Sequence, residues 1–323
     1  MLFLSNKNLQ SVGIYKHISS AQWKTKLNDL GTFEFHISAD SQYLSDIKID
    51  YFVHFNGRDG VIAYREKNDD GSAVKITGYD LKKMLEWRLC YGGKTGNLET
   101  VIKSYVSEAF CTPGARKIPN FRVAPSQNRG NVVEWNNDKL VTALETVKGL
   151  CNLEQWGFTI YISGSDFVFD IIIPTDKSES IIFAPEYKNL SGSEFKENAQ
   201  NEKNVALYLK ETETTDSGGN TTKVTTIEEY NPYSKSGLDR KEGAAENNAT
   251  TEKAASYLIS NAIQQTVSAM ANSKILYGSD YDIGDYVTTR LNTFDGKIDV
   301  VKQITEVKEI WEKNDYSTEP TFS

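Results

Sequence analysis

Apolar and polar residues alternate along much of this chain. Phe33, Phe35 and Ile37 interleave with Thr32, Glu34 and His36. That period of two puts an aromatic row on the inner face of a strand. Tyr51, Val53 and Phe55 repeat the pattern, and Leu2 to Leu4 and Ser11 to Tyr15 are shorter runs. Turn clusters separate them: Gly31, Asn56-Gly57-Arg58-Asp59-Gly60 and Asp69-Asp70-Gly71. Val61 to Glu66 and Ala73 to Thr77 leave these turns as further strands. Short strands between frequent turns predict a small antiparallel barrel or sandwich over residues 1–92. Asp80 is placed to cap a short helix from Leu81 to Trp87.

The period then becomes helical. Asn97 precedes Leu98, Val101, Ile102, Tyr105, Val106, Ala109 and Phe110, an amphipathic face. A polar stretch with Pro113, Pro119 and Pro125 follows. Asn136 or Asn137 is expected to cap a second helix through Leu140, Leu144, Val147 and Leu150. Gly157 to Ile162 and Phe167 to Ile173 form a hairpin around Ser163-Gly164-Ser165-Asp166. Residues 93–178 therefore read as an inserted α/β lobe.

Residues 179–323 return to β. Ser180 to Phe183 is a short strand, and Val205, Leu207 and Leu209 open another. Val224 to Tyr230 returns after the polar tip Asp216-Ser217-Gly218-Gly219-Asn220. Ser234 to Asn248 reads as a charged loop, and Thr250 or Thr251 as the cap of a helix running to about Ala271. The strongest signal is Tyr277 to Ile310, two β runs around an Asp295-Gly296 hairpin turn. In its second run Ile298, Val300 and Ile304 share one parity, and Val301 and Val307 the other. Gly284 marks a close backbone approach ahead of Asp285-Tyr286-Val287. No period of 20–50 residues repeats.

With 323 residues, the chain exceeds one ordinary domain of ~100–200, which fits several lobes. A 39% hydrophobic share excludes a disordered chain. The net charge of −8 is uneven. Residues 1–92 hold 12 cations against 11 acids, residues 93–178 hold 9 of each, and residues 179–323 hold 15 against 24. A basic phosphate-binding face is therefore not expected. Cys90, Cys111 and Cys151 are odd in number and far apart, so no disulfide framework or Cys-x-x-Cys metal pattern follows. The N-terminus lacks a basic signal region, and no run approaches the ~20 apolar residues of a membrane span.

Candidate chemistry is sparse. His17, His36 and His54 lie in or beside predicted strands, without the His-Glu-x-x-His zinc spacing. Ser165 lacks the flanking glycines of a nucleophile elbow, because Ser163 and Phe167 occupy those places. Gly93-Lys94-Thr95 ends like a phosphate-binding loop, but Arg88 stands where its first glycine is needed. Asp280, Asp282 and Asp285 are spaced like calcium ligands, yet the sixth and twelfth places hold Asp285 and Leu291 rather than glycine and glutamate. No catalytic, cofactor-binding or metal-binding residue is assigned, and no cofactor is expected.

The order of segments resembles the tail-associated lysin family of siphophage tail-tip proteins, which shares the fold of the myophage baseplate hub. The resemblance rests on GTFEFHI, VKITGYDLKKMLEWR, SIIFAPEYKNLSGSEFKENAQNEKNVALYLKE and YGSDYDIGDYVTT followed by ITEVKE. It implies two tail-tube-like β-barrel domains, residues 1–92 and 179–323, around the inserted α/β lobe 93–178. It also implies a homotrimer that sets six β lobes around a ring, continues the tail tube and opens for DNA passage. Partners would be the distal tail protein, the tape-measure protein and other tail-tip proteins, with DNA passing unbound. The location would be the virion tail tip. No enzyme activity is expected, and wall degradation would fall to a separate polypeptide. The acidic 179–323 region is expected to repel DNA if it lines the channel. The alternative is a glycan-binding or glycan-cleaving module that stacks sugars on Tyr230, Tyr233 and Trp311.

Overall fold

The computed structural model describes residues 1–38, 44–67, 73–215, 219, 221–271, 275–293, 296–312 and 315–323. The first group of strands is β1 (Leu2–Ser5), β2 (Ser11–Tyr15), β3 (Ile18–Lys26), β4 (Thr32–Ser38), β5 (Phe52–Phe55), β6 (Arg58–Lys67) and β7 (Ala73–Asp80). As the alternation predicts, Phe33, Phe35 and Ile37 point into the core. Trp23 of β3 stacks on Phe33 with centroids 5.1 Å apart. The Phe33 ring lies so close to β7 that a Cβ on Gly78 would meet it at 2.6 Å. Only glycine fits there.

Residues Leu81–Trp87 form a 3-10 helix. Asp80 does not cap it. Its carboxylate accepts the Gly31 N–H at 2.9 Å and pairs with the Lys82 ammonium at 3.2 Å. The Asp69-Asp70-Gly71 turn lies outside the described residues.

The second group is β8 (Leu89–Asn97), α1 (Leu98–Phe110), β9 (Phe121–Val123), β10 (Val132–Thr142), α2 (Ala143–Asn152), β11 (Gly157–Ser163) and β12 (Asp166–Ile172). The predicted face of α1 is buried throughout. The second helix starts later than expected, because Asn136 and Asn137 belong to β10, paired with β8. Thr142 is the cap: its hydroxyl accepts the Glu145 N–H at 3.1 Å, and Glu145 accepts the Thr142 N–H at 3.2 Å. Leu140 is left exposed on the strand. The hairpin closes with Ser163 opposite Asp166, as its turn residues predict.

The third group is β13 (Ile182–Phe183), β14 (Leu190–Asn198), β15 (Val205–Thr215), β16 (Thr221–Tyr230), β17 (Glu242–Ala244), α3 (Thr251–Ser260), β18 (Gln264–Ala271), β19 (Tyr286–Thr293), β20 (Gly296–Glu312) and β21 (Asp315–Phe322). The expected helix to Ala271 is thus divided. Thr250 caps α3, accepting the Lys253 N–H, and Asn261 ends it. From there burial switches to a period of two, with Val267, Ala269 and Ala271 inward. The first run of Tyr277 to Ile310 becomes strand only at Tyr286; residues before it form turns. Asp295 and most of the 216–220 tip lie outside the described residues.

The split parity in β20 has a structural cause. A register shift between Ile304 and Glu306 inserts one residue, so Ile304 and Val307 both face inward. At Gly284 the φ is +93°, and its N–H reaches Ile304 O at 2.8 Å.

Among the described residues, thirteen strands form one sheet along the path β14-β18-β21-β20-β3-β4-β7-β6-β5-β1-β2, with β13 and β19 branching off it. The link between the ends of the chain is β20 on β3, from Glu306 opposite Lys26 to Glu312 opposite Ser20. The second group has its own small sheets, β10-β8 and β11-β12-β9, and a third is β16-β15-β17. The fold is mainly β, with the helices in and beside the insert.

Candidate functional site: a polar sheet wall

Eight consecutive strands of the main path, β14-β18-β21-β20-β3-β4-β7-β6, build a wall. One face is core: Val267, Phe322, Val307, Trp23, Phe35 and Ile76 are all buried. The registers place the alternate residues on the other face. Apart from a few such as Met270 and Ile310 these are polar, and oppositely charged neighbours are paired. Lys196 meets Glu194 at 2.9 Å, Lys308 meets Glu319 at 3.4 Å and Lys24 meets Glu306 at 2.9 Å. Glu34 receives Lys75 at 2.7 Å and His36 at 2.8 Å. Tyr64 donates to Glu66 at 3.0 Å. Bonds from Lys75 and His36 hold the Glu34 carboxyl below its ordinary range.

This face does not carry the acid surplus of residues 179–323. Many of those acids sit on the β15–β16 lobe and on turns, including Glu211, Glu213, Glu229 and Glu242.

Behind the wall, a polar knot around the buried Glu309 joins strands distant in sequence. Arg58 of β6 donates to Glu309 of β20 at 2.8 Å and lies 5.0 Å from the Tyr277 ring centroid. Tyr316 of β21 donates to the other Glu309 oxygen at 3.0 Å. Burial raises the Tyr277 hydroxyl far above the ordinary tyrosine range.

The chain matches, over residues 1–322, the model of the siphovirus ReqiPepy6 Gp37-like proteins. It belongs to that family. The fold of this Gp37-like chain recurs in solved structures. Prophage tail protein gp18 from Listeria monocytogenes EGD-e aligns with TM-score 0.56 at 15% identity, covering 100% of this chain and 94% of that one. A tail protein from Neisseria meningitidis MC58 gives 0.58 at 12%, covering 99% and 95%. The prophage MuSo2 43 kDa tail protein from Shewanella oneidensis gives 0.57 at 12%, covering 100% and 98%. At these identities the likeness shows the fold, that of phage tail proteins. No curated protein sequence matches the chain.

The residues weighed from sequence are scattered. His17 is exposed, and Lys94 pairs with Glu108 from within β8. Asp280, Asp282 and Asp285 accept the N–H groups of Leu276, Ile283 and Asp282, each at 2.7 Å. Asp285 also pairs with Lys177 at 2.9 Å. These carboxylates close turns. Trp311 packs on Phe55 and Tyr316, whereas Tyr230 packs in the small core of Ala206, Ala254 and Leu258, and Tyr233 is exposed.

One constellation escaped the sequence. His54 Nδ1 lies 2.7 Å from Asp59 Oδ1, and Nε2 lies 2.7 Å from Ser5 Oγ. This is the connectivity of a nucleophilic triad. Ser5, however, is only 3% exposed and sits within the β2-β1-β5 pairing. Three polar residues on adjacent strands here satisfy one another. No local spacing signals the set, because Ser5 is remote in sequence from the other two.

Proposed function

We propose that the chain is the structural hub of a siphophage-type tail tip, on the virion or a prophage-derived particle. In this reading three copies form a ring that continues the tail tube and opens for DNA. The observation that carries it is the wall. Its terminal strand β14 pairs only with β18, and the Tyr64–Lys67 half of β6 pairs only with β7 among the described residues. Free edges at both ends of a sheet are satisfied when copies join head to tail and close. Charge favours that contact: β14 carries Glu194, Lys196 and Glu197, while the free half of β6 carries Arg65, Glu66 and Lys67.

The paired charges of the polar face suit a channel lining. Phosphates gain little by releasing counterions against lysines already neutralised by carboxylates. Indifference to DNA then comes from pairing, in place of the acidic repulsion expected from composition. The distal tail protein and the tape-measure protein are the proposed neighbours, and wall cleavage is assigned to a separate polypeptide.

Light scattering tests the oligomer. A mass near three times 36.3 kDa is expected, reached as the chain is concentrated. A stable dimer or tetramer overturns the ring. Lys67→Glu, which sets like charge against Glu194 and Glu197, is expected to shift the assembly toward monomer.

A further inference from the structure

The β15–β16 ribbon is built unlike the rest of the chain. From Leu209 to Thr215 and from Thr221 to Glu229, every residue described is exposed, so neither face has a core to cover. A two-stranded ribbon is marginal alone in water. The chain protects one of its edges. On the β15 side, β17 pairs with Val205 to Leu207, and the Asn248 N–H donates to Leu209 O at 2.7 Å. The Asn248 side chain then accepts the Glu211 N–H at 2.8 Å. On the other side, β16 is the terminal strand among the described residues, over its full ten residues.

That open edge carries no proline and no bulge. Thr221, Thr222, Val224, Thr225, Thr226 and Ile227 favour extended backbone, with neither proline nor glycine among them. Ile227 is 73% exposed. The charges bracket the β-branched stretch Val224 to Ile227: Lys223 precedes it, and Glu228 follows.

We propose that the outer edge of β16 is a docking site for an extended strand of another polypeptide, added antiparallel. The chemistry of that strand follows from the bracket. It carries a cation opposite Glu228, four β-branched residues opposite Ile227 to Val224, and an acid opposite Lys223. A second copy of β16 fits poorly. In a twofold antiparallel pairing, facing residues have the same parity, so Val224 never meets Ile227. The register that brings Lys223 to Glu229 spends a carboxylate already held through both oxygens by Arg240, at 3.0 and 2.8 Å. The inference does not depend on the trimeric ring.

The test uses the full chain and a synthetic capped peptide reading Ser-Lys-Val-Thr-Ile-Val-Glu-Ser. Amide exchange over 221–227 is followed by mass spectrometry. Saturating peptide is expected to slow it by about tenfold or more. Val224→Lys combined with Ile227→Lys is expected to abolish the slowing, with exchange in α3 unchanged as proof of folding. Three results each overturn the proposal. The peptide leaves exchange unaltered; a scrambled peptide slows it equally; or exchange slows without peptide as the chain is concentrated, which makes a second copy the occupant.

Discussion

The wall and the ribbon are both antiparallel and both rich in Thr, Lys and Glu, yet they hold their shape differently. The inner wall strands have one polar face and one face in a core, as β4 shows with Glu34 outward and Phe35 buried, and only the wall's outermost stretches, β14 beyond Leu190 and β6 beyond Ile62, are largely exposed on both. The ribbon beyond Leu209 has two polar faces and no core. Its order comes from anchors at its base, where Ala206, Tyr208 and Tyr230 pack on Ala254 and Leu258 of α3. A polar strand with a buried reverse face is a wall. One without it is an arm, shaped for what it meets.

Mutations that empty the two cores break this comparison most directly. Trp23→Ala removes a ring packed against Phe33 and Phe35 in the wall. It is expected to cost ~3–5 kcal/mol in denaturant melts. If it costs under ~1 kcal/mol, the wall is not core-held. A smaller effect is expected in the insert that supports the ribbon. Glu99 is buried there, bonded by Lys103 at 2.8 Å and by Arg129 at 2.9 and 3.0 Å. Its side chain also accepts the N–H groups of Gln127 and Arg129. Burial alone would raise this carboxyl, but those bonds outweigh it and bring it down to about 2. Its stabilisation is present above the ordinary Glu range and is lost as pH falls toward 2. Glu99→Gln is expected to cost ~2–4 kcal/mol near neutral pH, because Lys103 loses its buried partner. The variant is also expected to lose less stability than wild type between about pH 4 and 2. Equal acid sensitivity in the two proteins refutes this role.

Leu258→Ala sharpens the contrast at the anchor. The small ribbon core has few members, so the change is expected to cost ~2 kcal/mol and to act locally. Exchange should rise across β15, β16 and α3 and stay constant in β3 and β4. A uniform rise would show that arm and wall unfold as one unit.

The comparison also explains what sequence revealed. One-sided alternation at Phe33, Phe35 and Ile37 and the helical face from Leu98 to Phe110 were legible, because burial imposes a single period there. Strands paired through polar residues were not: β10 holds Asn136 and Asn137, and β21 reads DYSTEPTF. Their partners, β8 and β20, lie elsewhere in the chain. The α3–β18 boundary was hidden because Ala262, Ile263, Val267 and Met270 extend the helical spacing of Ala254 and Leu258. The wall charges were visible singly, but their pairing depends on register. Lys24 finds Glu306 only because β20 returns beside β3.

That pairing gives the smallest effect on stability and the most specific one on function. Lys24 and Glu306 are partly solvated, so Lys24→Ala is expected to change stability by only ~0.2–1 kcal/mol. Removing the acid instead leaves a free cation on the polar face. Glu306→Gln together with Glu319→Gln unpairs Lys24 and Lys308. If pairing keeps phosphates from adhering, the double variant should retain double-stranded DNA on a filter at low salt, and ~0.2 M salt should release it. The ribbon is the control. Glu211→Gln and Glu228→Gln change net charge equally, but they lie on the arm and neither forms an ion pair among the described residues. Equal retention by the two double variants would make total charge the cause and remove the wall's special role. Retention by the wall variant alone would tie indifference to DNA to the register of β20 against β3 and β21.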